Sequence, residues 1–377
     1  MNWKLVVRGV VGVLGVVSSS FVMAETGVSD STILVGQSVP LSGPSQELGS
    51  EMKLGIQLYF DQVNSQGGIN GRKLELKVLD DGYEPERTAA NTRQLIGKEG
   101  VFSLLGFVGT PTSVAALQVS NPAKVPFVGA FTGADALRAP FNRYVFNIRA
   151  SYAEECERIV EQFTSLNVKR IAVFFQNDGF GKAVLSGVER AMEKRGLQVI
   201  NSTAIERNSL NVAPAAKAIA AVRPDMVIMA VPYKPSAAFI NAIRGEGAAP
   251  QFYTVSFVGP QALAKELGPN GAGVGISQVM PFPWSINAPI VREYQKLLQG
   301  KAEPSYVSLE GFIAAKVFVE GVKRAGKDLT REKLIGAMEG MHSYDTGGYA
   351  VSFGPNDHNG SKFVELTVLR RDGKIMR

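Results

Sequence analysis

Two hydrophobic periods alternate along this chain, and midway the alternation starts over. Strands are expected at 32–39, 73–79, 102–105 and 125–130, where apolar residues alternate or run together. Between them, 49–64 sets Met52, Ile56, Tyr59, Phe60 and Val63 on one helical face and stops at Gln66-Gly67-Gly68. Further helices are expected at 86–98 and 113–122. After residue 150 the order restarts: helix 152–166, strand 170–175, helix 180–195, strand 198–204, helix 212–222, strand 226–231, helix 235–245, strand 252–256. Helices 290–299, 309–325 and 331–339 and strands 349–353 and 363–369 close the chain. A β-α-β-α order needs a parallel sheet with helices on both faces. Two such units in succession imply an α/β protein of two Rossmann-like lobes with parallel sheets.

The first 24 residues stand apart. Lys4 and Arg8 precede the apolar run Val10–Val17, then Ser18-Ser19-Ser20, and Val22-Met23-Ala24 offers small or tolerated residues where a signal peptidase reads. This is the pattern of an export signal cleaved after Ala24. The run is far short of the ~20 residues a membrane anchor needs, and no Cys follows it to carry a lipid. Removing it leaves 377 − 24 = 353 residues, more than one core usually organises, which again favours two lobes. The net charge of +6 falls to +4 without Lys4 and Arg8, and no basic run exceeds Arg370-Arg371. A nucleic-acid partner is therefore not expected. Cys156, the single cysteine, cannot form an internal disulfide. Three neighbouring glutamates oppose its thiolate, so it reads as a small buried helix residue.

In open α/β sheets ligands bind beyond the carboxyl ends of the strands, and the loops there are distinctive. The first strand is followed by Pro40-Leu41-Ser42-Gly43-Pro44 and then Leu48-Gly49. The third is followed by Gly106-Phe107-Val108-Gly109-Thr110-Pro111-Thr112-Ser113, and the fourth by Ala130-Phe131-Thr132-Gly133. The last two open helices with small and hydroxyl residues, a combination suited to a carboxylate, although Thr or Ser also serves as a plain helix cap. In the second unit the loops carry Phe180, Tyr233 and Phe257, aromatics suited to a pocket wall or to packing the loop onto its lobe.

With these loops, Val63–Arg72, the Asp80-Asp81 pair and Asn177-Asp178-Gly179-Phe180-Gly181, nearly the whole mature chain resembles the periplasmic binding proteins of the leucine/isoleucine/valine-binding type, the receptors of ABC importers. The resemblance implies the type 1 fold, two lobes joined by a three-segment hinge near 147–150, 276–282 and 341–346. Residues 25–147 with 281–342 would form the first lobe and 148–280 with 343–377 the second. It also implies a monomer that closes on a small-molecule ligand and delivers it to a membrane permease. Leu48, Gly109, Thr110, Ala130, Phe131, Thr132, Phe180, Tyr233 and Phe257 fall at ligand-contacting positions. Thr110, Ala130 and Thr132 would hold a carboxylate, and Phe180 and Tyr233 would close over it.

One departure bears on the ligand. Amino-acid-binding members carry an acid in the loop after the strand that here ends near Ser256, to pair with the ligand's ammonium. Here Phe257 stands there, and no Asp or Glu occurs from Tyr253 to Lys265. An unpaired buried ammonium costs several kcal/mol, so the ligand is expected to be a small organic acid or amino-acid-like compound other than a standard α-amino acid. An acid without an amine, aromatic or not, fits Thr110 and Thr132 with Phe180, Tyr233 and Phe257.

Competing readings have less support. Gly271-Ala272-Gly273-Val274-Gly275 mimics a dinucleotide loop but follows Pro269-Asn270 rather than a strand. His342 and His358 lie in late loops, and His358 reads as part of a surface turn rather than a metal ligand. No Ser/His/acid set adjoins the proposed site, so no catalysis, cofactor or metal is expected. A periplasmic sensor delivering its ligand signal to a kinase is the other reading this fold allows.

Overall fold

The computed structural model describes residues 25–377. The expected export signal, residues 1–24, lies outside the described residues. The first half runs β1 (Thr32–Val39), α1 (Gln46–Ser65), β2 (Lys73–Asp80), α2 (Pro85–Gly97), β3 (Ser103–Leu105), α3 (Thr110–Ser120), β4 (Phe127–Val128) and β5 (Val145–Phe146). The second half runs α4 (Tyr152–Ser165), β6 (Ile171–Gln176), α5 (Gly179–Glu193), β7 (Asn201–Ile205), α6 (Ala213–Ala221), β8 (Met226–Ala230), α7 (Tyr233–Gly245), β9 (Gln251–Thr254), α8 (Pro260–Leu267) and β10 (Gly275–Gln278). Then follow α9 (Pro289–Leu298), α10 (Tyr306–Ala325), α11 (Arg331–Glu339), β11 (Tyr344–Asp345), β12 (Ala350–Val351), β13 (Glu365–Leu369) and β14 (Ile375–Met376).

Strands β2-β1-β3-β4-β5 make one wholly parallel sheet. The second sheet runs β14-β13-β10-β9-β8-β6-β7, parallel from β10 to β7 and finished by antiparallel β13 and β14. The expected two-lobed α/β architecture is what forms. The chain leaves the first sheet after β5, leaves the second after β10 to build α9–α11 beside the first, and returns through the β11–β12 hairpin to β13.

Several bounds differ from the sequence reading, for local reasons. The helices expected to begin at 113 and 235 begin at Thr110 and Tyr233, so both residues sit in the first turn of a helix rather than in a loop. Residues 256–258 form a 3₁₀ turn leading into α8, which periodicity did not reveal because the helix is only eight residues long. The strand expected at 198–204 is shifted to 201–205. The strand expected at 349–353 shrinks to two residues of the β11–β12 hairpin.

Helices α1 and α10 cross against the first sheet by backbone approach. A Cβ on Gly55 would lie 1.9 Å from the Ser308 carbonyl oxygen, and one on Gly311 would lie 2.4 Å from that of Met52. Backbone cannot swing aside as a side chain can, so Gly55→Ala should force the helices apart and cost about 1–3 kcal/mol in urea unfolding. An unchanged midpoint would contradict this packing.

Two residues read differently in three dimensions. Cys156 is buried, as expected, against Gly187 and the Val184 carbonyl, and burial pushes its thiol well above the ordinary range. His358 is no surface residue. It is buried, its ring stacks on Phe146 at 3.8 Å, Nδ1 lies 3.0 Å from the Val145 carbonyl and Nε2 lies 3.3 Å from Glu339. Burial lowers its pKa. The turn Asn356–Gly360 is polar in sequence but packs against β5, and pattern alone cannot show that.

Candidate functional site

All nine residues singled out from the sequence are buried, and apart from the Ala130 side chain they form two groups between the sheets. The larger centres on Phe257. Its ring lies 4.5 Å from that of Phe180 and 5.3 Å from that of Phe131. Phe131 follows β4 in the first lobe, whereas Phe180 and Phe257 belong to the second. Phe257 is therefore a second-lobe ring held between aromatic walls from both sides. Such offset pairs add roughly 0.5–1.5 kcal/mol each beyond area burial.

Beside the rings lies a chain of hydroxyls. Thr110 Oγ1 and Thr132 Oγ1 are 2.7 Å apart, and Thr132 Oγ1 lies 3.3 Å from the Tyr152 hydroxyl. The Tyr152 ring in turn lies 5.3 Å from Phe180. Three hydroxyls bring three protons, and two contacts use two of them, so among the described residues one O–H remains free to be donated. The first turn of α3 adds to this. Its N-cap, Gly109, offers no side-chain cap, and Thr112 turns its hydroxyl back to the Val108 and Gly109 carbonyls. Uncapped N–H groups and a spare hydroxyl proton at one place suit an oxyanion. Thr132 contributes its hydroxyl alone, because its N–H is taken by the Ala130 carbonyl at 2.8 Å. The Ala130 side chain belongs to the core beneath α2 and α3.

Leu48 and Tyr233 form the second group. A Cβ on Gly259 would come within 2.5 Å of Leu48 Cδ2 and 3.7 Å of Tyr233 Cδ1. Both side chains thus approach Gly259, two residues beyond Phe257.

Sequence reasoning missed three kinds of residue here. Tyr83 and Tyr152 are two, both fully buried aromatics of the same cluster, with Tyr83 6.0 Å from Phe257. The third is an ionic cluster where the chain first passes between the lobes. Arg149, fully buried, donates to Glu155 Oε1 at 3.2 Å, to Glu310 at 3.4 Å and to Ser256 Oγ, with its guanidinium 4.9 Å from the Phe131 ring centroid. Glu155 also accepts from Ser256 N at 2.8 Å and Ser277 Oγ at 2.6 Å. Burial pushes the Glu310 carboxyl up to about 7, against the pull of Arg149. Acids absent from 253–265 are thus present nearby through space. Both are engaged by Arg149, and Glu155 is further saturated by two serines. Asp178 is occupied as well. One oxygen caps α5 through Phe180 N and Gly181 N, and the other accepts from Gln176 Nε2 at 2.5 Å.

At the rim, polar contacts tie the lobes together. Arg207 meets Glu84 at 2.9 Å, Asn208 donates to Glu84 at 2.7 Å and Arg190 meets Asp135 at 2.9 Å. Half-exposed pairs of this kind are worth about 0.2–1 kcal/mol each. Among the described residues no group of three or more His, Cys, Asp or Glu is arranged to hold a metal.

Comparison with known proteins bears on the fold and the family. A structure described as a possible leucine/isoleucine/valine-binding protein from Rhodopirellula baltica SH 1 is 34% identical, with a TM-score of 0.87 over 93% of this chain and 98% of that one. A substrate-binding periplasmic protein from Ralstonia solanacearum is 33% identical, with a TM-score of 0.87 over 91% and 99%. Leu/Ile/Val-binding protein homolog 7 of Brucella abortus (strain 2308) is 23% identical over 95% of this chain and 94% of its own length. The family model for the periplasmic binding protein matches residues 32–374, from the first strand of one lobe to the turn before the last strand of the other's sheet, and the chain belongs to that family.

Proposed function

We propose that this protein is the solute receptor of an ABC importer. It captures a small carboxylate with an apolar, aromatic-compatible body between its lobes, and hinge closure presents the loaded form to a membrane permease. The lobes are residues 25–147 with 281–342 and residues 148–280 with 343–377, and the receptor acts as a monomer. Export by the segment 1–24 places it where its family works. The observation that carries the ligand reading is the spare hydroxyl proton of the Thr110–Thr132–Tyr152 chain beside the Phe131, Phe180 and Phe257 rings. A buried donor without an acceptor is costly, and a ligand oxygen relieves that cost. Against an amine, Glu155, which is bonded to Ser256, and Glu310 are already engaged by Arg149.

Relatives named for leucine, isoleucine and valine make amino acids the natural comparison. Thermal shift and calorimetry with carboxylic acids, amino acids and amides test the reading. A ligand at one hundred times its Kd adds about 2.7 kcal/mol of stability, an easily read rise in melting temperature. An amine-free acid is expected to give it, and leucine is not. A shift by amino acids alone would overturn the carboxylate assignment and leave the receptor role standing.

A further inference from the structure

The Asp80-Asp81 pair marks the resemblance but has no part in the site so far, and the structure shows what it builds. Asp80 Oδ1 accepts from Leu41 N at 2.8 Å and Gly82 N at 2.9 Å. Asp81 takes Ser38 Oγ at 2.8 Å on one oxygen and Tyr83 N at 2.9 Å on the other. The resulting turn holds Tyr83 at φ +66°. That left-handed conformation is a genuine outlier for a bulky residue, and it persists only where the surroundings enforce it. The turn throws the Tyr83 ring into the space between the lobes. There it is fully buried against Phe257 of the opposite lobe. Room for it comes from Gly109, at φ +97°, where any Cβ would lie 2.3 Å from the Tyr83 ring.

The phenol hydroxyl is the informative atom. Its one partner among the described residues is Gln176 Nε2, at 3.4 Å. The same nitrogen lies 2.5 Å from Asp178 Oδ2, a carboxylate oxygen, which fixes the amide with its NH₂ toward both groups. Gln176 therefore donates to Tyr83, and the phenol's own proton has no acceptor among the described residues. Burial also holds the phenol far from ionisation, so that proton stays available.

We infer that Tyr83 is a specificity-determining residue whose phenol donates to a second oxygen of the ligand, separate from the carboxylate. The inference rests on the carboxylate reading above and narrows it: the preferred ligand is an acid that also carries a hydroxyl, keto or second carboxylate oxygen. Strain in the turn is the means by which a polar group is held among the buried rings.

The test compares acids matched in skeleton, benzoate with 4-hydroxybenzoate and hexanoate with adipate, by calorimetry on the wild type and on Tyr83→Phe. The wild type is expected to favour the oxygen-bearing member of at least one pair by about tenfold or more, the worth of one hydrogen bond into a buried site. Tyr83→Phe should bring that ratio close to one, the loss falling on the oxygen-bearing member, with at most a small fall in melting temperature from the lost Gln176 hydrogen bond. A purely structural Tyr83 would lower the melting temperature and weaken both members alike, which overturns the inference. So does a ratio that survives in Tyr83→Phe, or equal binding of both members by the wild type, and in those cases the carboxylate reading stands. If the wild type binds none of the four acids, the carboxylate reading falls and the inference falls with it.

Discussion

Arg149→Met should destabilise the protein by about 3–5 kcal/mol, the usual cost of removing one partner from a buried ionic cluster. Among the described residues the guanidinium is the only cation bonded to Glu155 and Glu310, and all three groups are buried. Once it is gone, Glu155 keeps its two serines but loses its counter-charge, and Glu310 loses the one side-chain partner it has among the described residues. Denaturant unfolding measures the effect. A loss below about 1 kcal/mol would mean that the cluster is not held dry. Glu310→Gln separates charge from shape. The folded Glu310 carboxyl, at about 7, lies above its unfolded value of 4.5. Below pH 4.5 both states hold the proton and its contribution is complete. As pH rises toward 7 the unfolded carboxyl ionises first, and stability falls. Each unit of difference is worth about 1.4 kcal/mol, so Glu310→Gln should be near neutral at pH 5 and stabilising by about 1–3 kcal/mol at pH 8. Part of the slope should remain in that variant, because burial also pushes Glu51 up to about 7. An unchanged slope would place the ionisation elsewhere.

Phe257→Ala should weaken ligand binding by a hundredfold or more. Truncating a buried Phe costs about 3–5 kcal/mol, and here the void would open between the lobes rather than within one of them. Tyr83 and Phe131 line one side of the ring and Phe180 the other. If the lobes move about a hinge, they can part and hydrate the gap. The cost then appears as a loss of the closed form, with a smaller fall in melting temperature. Calorimetry measures the affinity, and small-angle scattering should give a larger radius of gyration than the wild type. Unchanged affinity with an unchanged radius would mean that Phe257 is packing for its own lobe alone.

These effects divide by how they could be foreseen. Thr110, Thr132, Phe180 and Phe257 were legible because each stands just past a strand whose period is plain, and a parallel sheet gathers such positions at one edge. Tyr83 stands at the same edge, after β2, yet nothing in Gly82-Tyr83-Glu84 announces an inward ring. Only the left-handed turn built by Asp81 and the space left by Gly109 direct it there. Glu155 and Glu310 carried no warning either. An acid in a helix ordinarily faces water, and both helices would read the same with these residues exposed.

The sequence by itself therefore determined the α/β class, the two lobes and the strand ends where a ligand site can form. Those follow from periods of two and 3.6 residues, which are local and survive any arrangement of the elements. Only the tertiary structure decided the electrostatics of the site. Arg149 meets Glu310 across 161 positions of sequence and Ser256 across 107. Whether a buried charge is tolerated depends on partners within a few ångströms, and folding alone brings such partners together.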